Sequence, residues 1–151
     1  MTDTAQERAA SIAILDDDPD FRTYLEDFLK DEGGFTVRAF GSARELFEGC
    51  EESLPDIVLL DMKMGDASGD KVLEQLITRW PGLCVIIITG YPSLEDMRTT
   101  FKLKVFDYLA KPFSLAQLRQ ALKNASAELS RVGVRSLTGV VRSGKQVVAE
   151  N

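Results

Sequence analysis

At 151 residues, with 44% hydrophobic and 28% charged residues, the chain is long enough for one globular domain with a sizeable core. A net charge of −6 disfavours contact with nucleic-acid phosphates, which takes clustered Lys and Arg, and the absence of histidine excludes imidazole catalysis, His metal ligands and a phosphohistidine-donor role. No apolar run approaches the roughly 20 residues of a membrane span, the first eight residues lack the form of a signal peptide, and Cys50 and Cys84 match no metal or redox spacing, so a reducing cytoplasm is expected.

Residues 1–10 are polar and read as a frayed arm. Ser11-Ile12-Ala13-Ile14-Leu15 is a first apolar strand, ending on Asp16, Asp17 and Asp18. Pro19 suits the first turn of a helix with Asp18 as its N-cap, and Phe21, Tyr24, Leu25, Phe28 and Leu29 recur at helical spacing. Gly33-Gly34 stops it. Phe35 to Phe40 alternates like an edge strand, and Ser42-Ala43-Arg44-Glu45 is a capping-box signature for a second helix, to about Glu51.

The stretch Pro55-Asp56-Ile57-Val58-Leu59-Leu60-Asp61 is an apolar run bounded by Pro and, further on, Gly65. Such a run reads as a strand buried on both faces, with Asp61 the first polar group at its carboxyl end. Taken alone, Asp61 is equally well read as a loop cap. A third helix is expected from Gly69 to Trp80, with Val72, Leu73, Leu76 and Ile77 inward. Leu83 to Ile88 is the most apolar run, a central strand ending on Thr89; a weaker helix starts near Ser93. Val105 to Ala110 is a fifth strand ended by Lys111-Pro112, and Ser114 opens a fifth helix striped by Leu115, Leu118, Leu122, Ala125 and Leu129.

Five alternations of strand and helix make an α/β, doubly wound parallel sheet with helices on both faces. The first, third and fourth strands are the most apolar and belong in the middle. This favours the flavodoxin-like order 2-1-3-4-5, with its switch point between the first and third strands. Asp16, Asp17 and Asp61 then converge in one crevice. Clustered carboxylates repel, by roughly 4 kcal/mol per pair at 4 Å and an effective dielectric of 20, and a cation relieves this. An all-oxygen set suits Mg²⁺, with Mn²⁺ as a substitute. A carboxylate can also act as nucleophile toward phosphorus. The transfer needs charge neutralisation and alignment, parts that Lys111 and Thr89 fit from neighbouring strand ends.

Four segments carry a specific likeness. Ile12-Ala13-Ile14-Leu15-Asp16-Asp17-Asp18-Pro19, Pro55 to Asp61, Val85-Ile86-Ile87-Ile88-Thr89-Gly90 and Tyr108-Leu109-Ala110-Lys111-Pro112-Phe113 together resemble a response-regulator receiver domain over about residues 11–129. The resemblance implies Asp61 as phospho-acceptor. It implies Asp16, Asp17 and Asp61 as Mg²⁺ ligands, Asp17 directly, with the backbone carbonyl of Lys63. Thr89 and Lys111 would bind the phosphoryl group, Thr89 and Tyr108 would form the switch pair, and Lys111-Pro112 would be cis. The implied partner is a sensor histidine kinase or phosphotransfer protein, with a homodimer through the face of the fourth helix and fifth strand. Nucleic acid and membrane are not expected partners of this domain.

The chain departs from the family where Gly65 replaces the usual proline, which predicts a more mobile loop. Lys63 is unusual two residues past the acceptor; its ammonium is expected to lean into the crevice when metal is absent. Tyr91 is placed to shield an acyl phosphate. Arg131, Arg135, Arg142 and Lys145 oppose Glu150 alone, so residues 130–151 read as a basic flexible tail or linker, with truncation from a longer regulator as one reading. The function expected is a switch that takes a phosphoryl group from a histidine kinase, catalysing its own transfer and hydrolysis rather than turning over a substrate. It would control an output domain or partner through the face of the fourth helix and fifth strand. Alternatives are a stand-alone receiver in a phosphorelay and a Mg²⁺-dependent aspartyl-phosphate phosphatase of the haloacid-dehalogenase type. The latter expects an acid where Lys63 stands. A flavodoxin-type flavin binder would need a phosphate cradle where Asp16-Asp17-Asp18 would repel one.

Overall fold

A computed structural model describes residues 9–64, 67–90 and 92–132. The expectations for Gly65, Tyr91, the arm up to residue 8 and the tail from residue 133 lie outside the described residues. Strand β1 is Ala10–Leu15, followed by helix α1, Pro19–Glu32, strand β2, Phe35–Phe40, and helix α2, Ala43–Glu52. Strand β3 is Ile57–Asp61. A two-residue ribbon follows, β4 at Lys63–Met64 and β5 at Ala67–Ser68, antiparallel to each other. Helix α3 is Gly69–Arg79, β6 is Cys84–Thr89, α4 is Leu94–Lys102, β7 is Asp107–Ala110 and α5 is Leu115–Val132.

The main sheet runs β2-β1-β3-β6-β7, all neighbours parallel. Counting only its five strands, this is the order 2-1-3-4-5. The fold is thus flavodoxin-like, as expected. The differences lie at the element ends. β3 starts at Ile57; at Asp56 the backbone still bonds Ser11 and Cys84, but the Ser11 amide donates to the Asp56 carboxylate at 2.8 Å rather than to a strand carbonyl. The ribbon β4–β5 occupies what reads as loop, since two-residue strands leave no periodicity to detect. Helix α5 continues to Val132, past Leu129, where its apolar stripe ends.

Strand residues alternate between two apolar layers, as the two-residue period of a strand requires. Ala13, Leu15, Val58, Leu60, Val85 and Ile87 face α2 and α3, meeting Leu46, Leu73 and Leu76. Ile12, Ile14, Leu59, Ile86 and Ile88 face α1 and α5, meeting Leu25, Leu29, Leu118 and Leu122. Burial on both faces explains why β1, β3 and β6 are unbroken apolar runs.

Helix starts follow local chemistry. The Asp18 carboxylate accepts from the amides of Asp20 and Phe21 at 3.0 and 3.4 Å, capping α1. Ser42 Oγ accepts from the Glu45 amide, while Glu45 reaches back to the Gly41 amide. Ser114 and Gln117 exchange side-chain to backbone bonds in a full capping box at α5. Capping of this kind contributes about 1 kcal/mol per helix. Here it also fixes where α1 and α5 begin, immediately beside the carboxyl ends of β1 and β7.

Candidate functional site

The parallel register brings the strand ends level. Leu15 pairs with Leu60, Asp61 with Ile88, and Thr89 with Ala110. The next residues, Asp16 and Lys111, therefore stand at the same rim as Asp61 and Thr89. Alternation then sorts them. Asp16, Asp61 and Lys111 continue the series of Ile14, Leu59 and Leu109, on the α1/α5 side. Thr89 and Tyr108 continue the series of Ile87, on the α2/α3 side, with Tyr108 packed against that layer. Thr89 and Tyr108 are diagonal neighbours across β6 and β7, close enough for their side chains to sense one another.

One carboxylate oxygen from each of Asp16, Asp17 and Asp61 lies within 4.8 Å of the others. They open into a crevice of about 810 Å³ whose rim includes Lys63, Gly90 and Phe113. Asp16 is wholly buried and Asp61 is 4% exposed, whereas Asp17 faces solvent. Asp16 Oδ1 accepts from the Asp18 amide at 2.9 Å, and its backbone carbonyl accepts from Arg22 at 2.8 Å. Asp61 Oδ1 accepts from the Lys63 amide at 3.1 Å. Lys111 Nζ donates to Asp16 Oδ2 at 3.0 Å and stands 3.9 Å from Asp61 Oδ2.

These partners do not fully offset the cost of burying charge. Burial, followed by repulsion from Asp16, pushes the Asp61 carboxyl up to about 6; the Lys63 amide and the Lys111 ammonium pull the other way. An oxygen-only set with two of its three carboxylates buried and its negative charge only partly offset is the chemistry of a hard divalent cation, so the residues present fit Mg²⁺. Lys111 occupies the position expected of Lys63. The Lys63 side chain is exposed and makes no ion pair among the described residues, because the chain turns outward into β4 directly after buried Met62.

Thr89 is wholly buried at the end of β6. The Tyr108 hydroxyl is also buried, with no hydrogen-bond partner among the described residues. Burial and then the charge of Asp96 push its phenol above the usual value, and the Ser93 backbone lies close by without completing a bond. The Lys111–Pro112 peptide is cis, as the resemblance implied, and the Lys111 amide donates to the Thr89 carbonyl at 2.7 Å.

Two features of the site are not legible as motifs. The Phe21 ring lies under the Lys111 ammonium, 4.0 Å from centroid to Nζ. The sequence marks Phe21 only as a helix-face residue. Gly69 donates its amide to the Met62 carbonyl, and a Cβ there would stand 2.4 Å from Met62 Cα. Its sequence signal is a glycine opening a helix.

Comparison with known proteins agrees with this geometry. A family model described as response regulator receiver domain matches residues 12–123. The DNA-binding transcriptional regulator NtrC of Proteus hauseri is 30% identical over 115 residues, covering 76% of this chain and 24% of that protein. The probable transcriptional regulatory protein TcrX of Mycobacterium tuberculosis is 30% identical over 144 residues, covering 95% of this chain and 58% of that protein. The chain thus spans about a quarter to somewhat over half of these relatives. A crystal structure of a CheY-like response regulator receiver domain protein from Methanospirillum hungatei superposes with a TM-score of 0.78 at 28% identity, covering 82% of this chain and 98% of that one. With the acidic crevice, the strand order and the match over most of its length in agreement, this chain belongs to the response regulator receiver domain family.

Proposed function

We propose that the chain is a phosphorylation switch in which Asp61 accepts a phosphoryl group from the phosphohistidine of a sensor kinase or phosphotransfer protein. The observation that carries this is the gathering of Asp16, Asp17 and Asp61 beside Lys111, from chain positions as far apart as 16 and 111. An Asp61 oxygen forms the new bond to phosphorus as the phosphorus–nitrogen bond to the donor breaks. The departing imidazole nitrogen takes up a proton. Asp16, Asp17, Asp61 and the Lys63 carbonyl would hold Mg²⁺, which supplies positive charge to the phosphoryl oxygens when bound. Lys111 lies within one side-chain movement of a phosphoryl group on Asp61 and adds a further charge. Thr89 and Tyr108 couple the modification to the face of α4 and β7.

That face carries exposed Leu94, Met97 and Phe106, and is the surface we assign to a partner or second copy. Residues 11–129 are the receiver unit in this reading. An output domain, such as the longer relatives have room for, is what this unit would control. Among the described residues no helix is long and apolar enough to cross a membrane, which is compatible with the cytoplasmic site that a kinase partner requires. Intact-mass measurement after incubation with acetyl phosphate and Mg²⁺ tests the reading. The wild type should gain one phosphoryl group and Asp61→Asn none; an equal gain in both, or none in either, would count against it.

A further inference from the structure

Among the described residues, the Lys111 ammonium stands close to two carboxylates and to one group that carries no charge. Besides Asp16 Oδ2 at 3.0 Å and Asp61 Oδ2 at 3.9 Å, its Nζ stands 4.0 Å from the centre of the Phe21 ring. The ring is held from two sides. Its backbone amide is tied to Asp18 in the first turn of α1. Its edge meets Phe113, two residues past Lys111, with centroids 6.2 Å apart at 79°. Helix α1 and the segment after β7 thus close on each other through an aromatic contact directly beside the ammonium. Anchoring a phosphoryl group needs no such ring.

We propose that Phe21 is a positioning residue whose ring holds the Lys111 ammonium in its metal-free seat against Asp16, and so raises the divalent-ion concentration needed to load the crevice. The Lys111 side chain is 24% exposed, so its charge is partly desolvated and the quadrupole of the ring acts on it with less screening. A cation ligated by Asp16 must take that carboxylate from Lys111. The ring stabilises only the seat beside it, so its contribution opposes departure of the ammonium. A contact made in one state and not in the other shifts the equilibrium by its own strength. This inference rests on the reading of the crevice as a Mg²⁺ site.

The test is calorimetric titration of Mg²⁺ into the metal-free full chain. Phe21→Leu should tighten binding about two- to five-fold, the range of one partly exposed cation–π contact. Phe21→Tyr, which keeps the ring, should bind as the wild type does. In a Lys111→Met background Phe21→Leu should change nothing. Unchanged or weaker binding in Phe21→Leu, or the same tightening without Lys111, overturns the inference. A measurement on the wild type alone covers the case in which Phe21→Leu does not fold. The ε-methylene protons of Lys111 should show an upfield ring-current shift in the metal-free protein that diminishes on saturation with Mg²⁺, and no such shift would overturn the inference equally. A wild type that takes up no Mg²⁺ refutes the site reading itself, whereas a wild type that binds while Phe21→Leu matches it refutes this inference alone.

Discussion

Asp61 is almost wholly buried beside a second buried carboxylate, and its chemistry follows from that. Its carboxyl is raised from 3.8 to about 6, so the folded protein holds this proton more tightly than the unfolded chain does. The stability it contributes is therefore fully present below pH 3.8 and is lost as pH rises through about 6. Above that, the metal-free protein carries a penalty on the order of 2–3 kcal/mol. Asp61→Asn removes it. In chelator-treated samples the stability advantage of Asp61→Asn over the wild type, from urea unfolding, should be larger at pH 7.5 than at pH 4 by about that amount. An advantage independent of pH would contradict the electrostatic account. At this scale the sequence was highly legible for groups that end a strand, because Asp16, Asp61, Thr89 and Lys111 each interrupt or follow an apolar run. Lys63 was misread for a physical reason. Proximity in sequence to Asp61 suggests contact, whereas the outward turn into β4 leaves its side chain exposed at the crevice rim, and the ion pair with the carboxylates is made by Lys111, which arrives from β7. The aromatic seat under Lys111 joins residues 90 positions apart, beyond what local pattern can express.

The element whose geometry matters most to the site is the junction of β3, the β4–β5 ribbon and α3. Met62 donates its amide to the Ile88 carbonyl at 3.3 Å and accepts from the Gly69 amide at 3.2 Å, so its backbone is pinned on both sides. That pinning orients the Lys63 amide that bonds Asp61. A methyl group at Gly69 would lie 2.4 Å from both the Cα and the carbonyl oxygen of Met62, and backbone cannot yield as a side-chain tip can. Alanine is the better helix former by up to about 1 kcal/mol, but an overlap this deep outweighs it. Gly69→Ala should destabilise by about 1–3 kcal/mol. Gly82→Ala, where a Cβ would meet nothing within 4 Å, should stay within about 1 kcal/mol of the wild type. Thermal unfolding of the two variants decides, and equal effects would contradict the close-approach argument. Caps at Asp18, Ser42 and Ser114 were readable because a short polar side chain and its amide lie within three residues. The ribbon was not, since its pairing depends on Gly69 meeting Met62 rather than on any pattern within it.

At the scale of the molecule, the two-sided burial of β1, β3 and β6 put the order of the sheet within reach of the sequence: strands apolar on both faces belong in the middle, and alternating β2 belongs at an edge. That order carries the chemistry, because it sets β1 against β3 and brings their carboxylates together at the switch point. It also divides the work of the two faces, with Asp16, Asp61 and Lys111 on the α1/α5 side and Thr89 with Tyr108 on the other. Among the described residues, β6 and β7 offer one route by which a change at Asp61 can reach α4. The central claim is that Asp61, held among these groups, is the nucleophile. Borohydride reduction of the protein after exposure to acetyl phosphate and Mg²⁺, followed by tandem mass spectrometry of its peptides, tests it most directly. An acyl phosphate is reduced to an alcohol, so the account predicts homoserine at position 61 and nowhere else. Homoserine at 16 or 17, or no conversion at any position, would contradict it.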